Sequence, residues 1–183
     1  MLTHVLARWA SWARWGECKA ALLLLLTLVS CTASFDGRVY HGDGFSFSVA
    51  QTPAEWQPIS VTSAALAYEE RDFGGQVLVN ARCDRDGDDA SLRSLTQHLF
   101  LRFTQREAIS EQVVPFDARE ALRTEVTAKL DGVSRSFLVW VLKKDRCVYD
   151  LLYVAPPDQY AVGAQRFDAW ARQFSALPRK VSP

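Results

Sequence analysis

The order of strand-like and helix-like segments predicts an α+β domain, a mostly antiparallel sheet with helices packed on its faces. Three observations carry this expectation. Phe137–Leu142 and Val148–Val154 are apolar at almost every position, as strands covered on both sides must be. Asp131-Gly132, just ahead of the first of these strands, is the strongest hairpin turn in the chain. Two segments, Leu92–Phe103 and Tyr160–Phe174, repeat apolar residues at helical spacing and so each offer one stripe to a core.

The elements follow in order. Tyr40 leads through the turn-forming His41-Gly42-Asp43-Gly44 into Phe45–Val49, whose alternation predicts a half-buried strand. Thr52-Pro53 and Gln57-Pro58 bracket Trp56 in an irregular stretch. Leu66–Glu70 and Gln76–Arg82 read as a hairpin around Asp72-Phe73-Gly74-Gly75. The acidic run Asp84–Asp89 then feeds a helix whose face carries Leu92, Leu95, Leu99 and Phe103, with Asp88, Asp89 and Ser91 suited to its start. Ile109–Val114 is an expected strand ended by Pro115. In Glu120–Leu130 the even positions are mainly apolar and the odd positions polar, which predicts one wet face. The closing helix places Tyr160, Ala164, Phe167, Ala171 and Phe174 on one stripe.

With 183 residues, 49% of them hydrophobic, the chain has material for one ordinary domain with a real core, which excludes wholesale disorder. Twenty-one basic side chains balance 21 acidic ones, so the long-range positive field of a general nucleic-acid binder is missing.

The first thirty residues read as an address label. Arg8, Arg14 and Lys19 against Glu17 make a positive start, and Ala20–Val29 is a ten-residue apolar run. A positive segment, a short apolar core and a small residue before the cut describe a secretory signal. The run is too short for a bilayer core, which needs roughly twenty residues. Trp9, Trp12 and Trp15 recur at intervals of three in the basic segment. They suit a membrane interface before cleavage, or mark a start codon placed too far upstream.

Leu28-Val29-Ser30-Cys31 resembles the bacterial lipobox, an aliphatic, a permissive and a small residue before an obligatory Cys. The resemblance implies lipidation of Cys31, cleavage before it, and acylation of the new amino group. Two or more acyl chains anchor a protein stably, where one holds it only marginally. The expected organisation is a signal peptide over 1–30, a lipidated Cys and short tether over 31–38, one domain over 39–177, and a tail over 178–183. Cleavage would leave 153 residues with 18 basic and 20 acidic side chains. Thr32 is not the Asp that retains enteric lipoproteins in the inner membrane, which favours the outer membrane. The expected location is the cell envelope, facing the periplasm.

Of four cysteines, Cys18 leaves with the signal and Cys31 carries lipid, so Cys83 and Cys147 remain. An even pair in an exported domain suggests a disulfide; the alternative is two separately buried thiols. Cys83 ends one expected strand and Cys147 opens another, so the sulfurs meet only if those strands are antiparallel neighbours.

The whole pattern resembles the superfamily of photosystem extrinsic PsbP proteins and bacterial DcrB lipoproteins. The likeness rests on Tyr40 through Gly44-Phe45-Ser46-Phe47 to Trp56, the mid-chain helix, the long hairpin across Asp131-Gly132, and the aromatic closing helix. It spans most of residues 38–177 and implies an accessory or interaction module. It transfers no site residue.

Chemistry is sparse. Asp84, Asp86 and Asp88 alternate as in a calcium loop, but an EF-hand needs Gly where Asp89 stands and Glu where Leu95 stands. A solvated turn and helix cap is the better reading, so no metal is expected. His41 and His98 lie far apart, and the chain carries no HExxH, CxxC, GxSxG or Gly-rich phosphate loop. Adjacent Glu69 and Glu70 face opposite ways on a strand and mark its end. No catalytic residue and no cofactor is assigned. Trp56, Trp140, Tyr149, Tyr153 and Trp170 are rings that can anchor an interface, but Trp140, Tyr149 and Tyr153 lie in strands expected to be buried; Trp56 with Asp84, Asp86 and Asp88, the least committed to the core, is the candidate interaction surface. The sequence thus points to a lipid-anchored, non-enzymatic envelope protein with a membrane and a protein partner, and no nucleic acid. The rival is a small-ligand or lipid carrier, which needs an apolar cavity beneath a sheet face.

Overall fold

A computed structural model of the chain describes residues 33–84 and 89–178. The signal segment, Cys31, Asp86, Asp88 and the tail from 179 onward lie outside the described residues. Strands β1 (Ser34–Phe35), β2 (Val39–Gly42) and β3 (Phe45–Ser48) form a small meander. Strands β4 (Trp56–Pro58), β5 (Leu66–Glu70) and β6 (Gly75–Cys83) follow, with a 3-10 turn at Arg71–Phe73 between the last two. Helix α1 (Leu92–Leu99) precedes the long strands β7 (Thr104–Phe116), β8 (Arg119–Leu130), β9 (Val133–Lys144) and β10 (Cys147–Ala155). Helix α2 (Tyr160–Ala171) and β11 (Ser175–Leu177) close the domain.

All strand pairings are antiparallel, and they make two sheets rather than the single one expected. The larger has seven strands in the order β4-β5-β6-β10-β9-β8-β7, and the smaller has four, β1-β2-β3-β11. Ser34–Phe35, read from sequence as part of the tether, pairs with His41 and Tyr40. The short β11 was not foreseen, because three residues after a helix carry no periodicity. Trp56, expected in an irregular stretch, starts a short edge strand opposite Glu70.

Period-2 alternation sorts the central strands into two cores. Leu138, Trp140 and Leu142 of β9 join Tyr149, Leu151 and Tyr153 of β10 and Phe167 and Trp170 of α2 in one buried cluster. Phe137, Val139 and Val141 join Val148, Val126, Leu95 and Phe100 in the other. The first cluster extends to Phe47, Phe174 and Ala176, so it also holds the small sheet.

Local chemistry fixes the ends. Ser91 caps α1, its Oγ accepting from Ser94 N at 3.1 Å. The helix stops at Leu99, one turn short of the expected Phe103, and α2 stops at Ala171 before Phe174. Both aromatics pack into the cores from the following loops. Pro115 does not end its strand but sits inside β7, opposite Glu120. β7 is an edge strand, where a residue without an N–H loses no ladder bond. Leu130 pairs with Val133 around Asp131-Gly132, whose φ values of 50° and 82° are those of a tight type I′ turn.

Cys83 and Cys147 are directly opposite each other on antiparallel β6 and β10 and form a disulfide with Cα atoms 4.0 Å apart. It joins neighbouring strands at the end where β9 turns into β10 and β6 leaves the sheet toward α1.

Candidate functional site

The polar groups on the α2 side bind each other. Glu70, at the end of β5, is fully buried. Its Oε2 accepts from Tyr153 Oη at 2.8 Å and its Oε1 from Trp56 Nε1 at 3.4 Å and from Arg166. Burial, then the hydrogen bond to Glu70, push the Tyr153 phenol far above its ordinary range, so it stays a proton donor. The arrangement ties β4, β5, β10 and α2 together. Adjacent Glu69 is exposed, so the two carboxylates do face opposite ways, but Glu70 is a core anchor as well as a strand end.

A second knot sits on β8, whose odd-numbered face was expected to be wet. It is half-covered: Arg123, Glu125, Thr127 and Lys129 are half-buried between buried even positions, and α2 supplies matching charges. Asp168 Oδ1 accepts from Arg123 Nε at 2.8 Å and Trp140 Nε1 at 3.2 Å, and Asp168 Oδ2 accepts from Arg172 Nε at 2.8 Å. Arg123 also donates to Glu125 Oε1 at 2.7 Å, and Arg172 lies over the Trp140 ring at 4.9 Å. Burial works to raise the Asp168 carboxyl, but the two guanidinium groups outweigh it and hold the group below its ordinary value. A third knot links the β7–β8 turn to β11, where Asp117 accepts from Ser175 Oγ, Ala176 N and Lys144 Nζ at 2.8 to 2.9 Å. These are structural pairs with their hydrogen-bonding capacity turned inward.

The α1 side differs. A cleft of about 450 Å³ opens between α1 and strands β7 and β8, lined among others by His98, Leu101, Arg106, Glu111 and Thr124. Thr124 is 5% exposed, yet its Oγ1 has no hydrogen-bond partner among the described residues. Arg93 pairs with Glu111, and Arg106 donates to the Phe100 carbonyl at 3.4 Å. Beside this cleft Leu101 is 69% exposed and Val113, on the same face of β7, is 58% exposed. The outer edge of β7 pairs with no strand among the described residues. A free edge and uncovered aliphatic groups suit contact with another chain.

The candidate interaction residues fare unequally. Trp56 is 4% exposed, packed at 5.2 Å from the Trp170 ring and bonded to Glu70, so it belongs to the core. The expectation that it stays free is corrected: its flanking prolines place it on an edge strand whose inner face meets α2. Asp84 pairs with Arg146 at 2.8 Å, closing the same strand end as the disulfide. Asp86 and Asp88 lie outside the described residues, and no metal-holding group of His, Cys, Asp and Glu occurs among the described residues. His41 Nδ1 meets Ser46 Oγ at 2.9 Å because the two are register partners on β2 and β3. Leu101, Arg106, Val113 and Thr124 were missed, since a cleft between a helix end and an edge strand leaves no spacing in the sequence. No helix among the described residues is long and apolar enough to cross a membrane.

No protein-family model and no curated protein matches the chain. Solved structures do match. Cyanobacterial PsbP (CyanoP) from Synechocystis sp. PCC 6803 is similar with a TM-score of 0.53 and 14% identity, over 82% of this chain and 99% of that one. LpqN of Mycobacterium tuberculosis, described as involved in cell envelope biogenesis, is similar with a TM-score of 0.54 and 13% identity, over 75% of this chain and 88% of that one. A protein from Bacteroides thetaiotaomicron VPI-5482 gives 0.51 and 14%, over 79% of this chain and 50% of that one. At such identities the likeness is one of architecture, and the chain has a PsbP-like fold.

Proposed function

We propose that the chain is a lipid-anchored bacterial envelope protein whose domain is a non-enzymatic interaction module, and that it meets its partner through the α1 side and the β7 edge. One observation carries the reading. On the α2 side Glu70, Asp168 and Asp117 are each tied to several partners, whereas Leu101, Val113 and the unpaired β7 edge on the other side are left open. A surface of that kind supports strand addition with aliphatic anchors. In this reading α1 and α2 act as covers for the two faces of the large sheet.

The anchor is Cys31 after removal of residues 1–30. β1 begins at Ser34, three residues beyond Cys31, and three extended residues span about 10 Å. A lipidated Cys31 therefore holds the small sheet against the bilayer surface and the partner stays within reach of the membrane. LpqN's part in envelope biogenesis is consistent with such a place.

Photo-crosslinking residues at Leu101 and Val113, with Val162 on α2 as the control, test the module in the native envelope. A discrete protein adduct from the first two sites and none from the third is expected. Cys31→Ser should remove both radiolabelled palmitate and membrane fractionation. Equal adducts at all three sites, or none, overturn the interaction reading; palmitate retained in Cys31→Ser overturns the anchor.

A further inference from the structure

We infer that the α1 side carries a binding slot for a single-chain fatty carboxylate. The slot goes beyond the interaction reading and stands without it. Helix α1 has eight residues, about 12 Å of length, while β8 and β9, which it lies against, each run for twelve. The helix therefore leaves part of an apolar sheet face without cover.

That part is a cavity of about 380 Å³ on the flank of α1 away from β7. Its floor is built by register. Leu152 of β10 lies beside Leu78 of β6, and Val154 lies beside Phe137 of β9. Phe103, from the loop after α1, forms a wall. Leu78, Leu152, Val154 and Phe103 are half-buried although their strands are interior to the sheet or their ring packs on the core. The volume lies in the range of small-molecule sites, ~300–1,000 Å³.

The polar lining selects the head group. Arg135 is the one charged residue of the cavity, accompanied by the amide of Gln76, and no carboxylate faces it there. Arg135 Nη1 donates to the Ser134 carbonyl at 3.0 Å, which leaves the guanidinium charge without a balancing anion in the slot. A guanidinium at the mouth of an aliphatic floor matches a carboxylate on an alkyl chain, since the planar fork takes a carboxylate in two parallel hydrogen bonds. A cationic amphiphile would meet Arg135 with like charge, and a polar peptide would leave the floor unfilled.

Isothermal titration of the full chain with saturated carboxylates from hexanoate to dodecanoate, below their micelle concentrations, tests this. One-to-one binding is expected, with affinity rising about fourfold per methylene until the slot is full. Arg135→Ala should weaken decanoate about tenfold and leave 1-decanol unchanged. Leu152→Trp, which fills the floor, should abolish both. Because that variant tests folding as well, methyl NMR of the unaltered protein provides a second reading: decanoate should shift Leu78, Leu152 and Val154 ahead of other methyls. Absence of saturable decanoate binding, methyl shifts centred elsewhere, or an equal loss of decanol in Arg135→Ala overturns the proposal.

Discussion

Replacing Gly163 by alanine pits two opposing effects against each other, and the structure decides between them. Gly163 sits in the first turns of α2, where alanine would gain about 1 kcal/mol in helix propensity. A Cβ built there would lie 1.8 Å from Tyr153 Oη and 2.4 Å from Glu70 Oε2. Neither neighbour is the free end of a flexible chain. Tyr153 and Glu70 are both fully buried, and the two are bonded to each other. Making room costs the overpacking strain of a filled core, about 1–3 kcal/mol. It also stretches a hydrogen bond to a charged acceptor, worth about 1.5–3 kcal/mol. The losses exceed the gain, so Gly163→Ala should destabilise the domain by about 2–4 kcal/mol. Urea denaturation followed by tryptophan fluorescence reads this directly, because Trp56 donates to the same carboxylate and Trp170 packs against Trp56. Should the midpoint stay level or rise, α2 would not approach β10 as closely as the glycine implies, and the Glu70 anchor would be wrong.

Two further outcomes follow from the same packing. Replacing Cys83 and Cys147 together by serine opens a loop with a sequence separation of 64, which costs about 4 kcal/mol in the chain-entropy treatment; a loss under about 1 kcal/mol in matched urea titrations would contradict it. Asp168 has its carboxyl held below the ordinary value by Arg123 and Arg172, so its contribution is complete above the unfolded-state pKa of ~3.9 and disappears as pH falls through the lower folded value. The stability gap between the unaltered protein and Asp168→Asn should be flat from neutrality to about pH 5 and close below pH 4, and a gap that persists in acid would refute the assignment.

Much of the architecture is legible because it depends on period. The two-sided apolar runs of β9 and β10 announced central strands, and Asp131-Gly132 announced the hairpin that joins β8 to β9, since local dihedral demands select those residues. The even pair of cysteines suggested the disulfide, and the condition it needed, antiparallel neighbouring strands, is met by β6 and β10. What was not legible depends on pairs distant in sequence. Glu70 becomes a buried anchor through Tyr153 and Arg166, 83 and 96 residues away, and no local pattern reports either partner. The odd face of β8 reads as wet because Arg123 and Glu125 are charged, but Asp168 on α2 takes Arg123 out of water. Trp56 reads as free because prolines flank it, and the same prolines fit it to an edge strand. The clefts beside α1 come from a helix too short for its sheet, a mismatch of lengths that apolar periodicity alone does not display.

That mismatch bears on where function resides. A sheet with two apolar faces needs two covers, and in this domain they are unequal. On one side α2 and the small sheet interlock through Glu70, Asp168 and Asp117, each carboxylate joining at least two elements. Disturbing any of them strands a buried charge, which is costly, so that side resists rearrangement. On the other side α1 is held mainly by Leu95, Phe100 and their apolar neighbours, with clefts on both flanks. Its polar ties, Arg93 to Glu111, Arg106 to the Phe100 carbonyl and Lys143 to the Ala90 carbonyl, are part-exposed, so small shifts of the short helix cost less than breaking a buried ion pair. Ligand entry at the Arg135 slot and strand addition at β7 would act on the two flanks of the same helix. Both clefts are lined by Phe100, so a partner in one and a ligand in the other would touch the same ring. Any coupling through it would be reciprocal, each occupant altering the affinity of the other by the same factor.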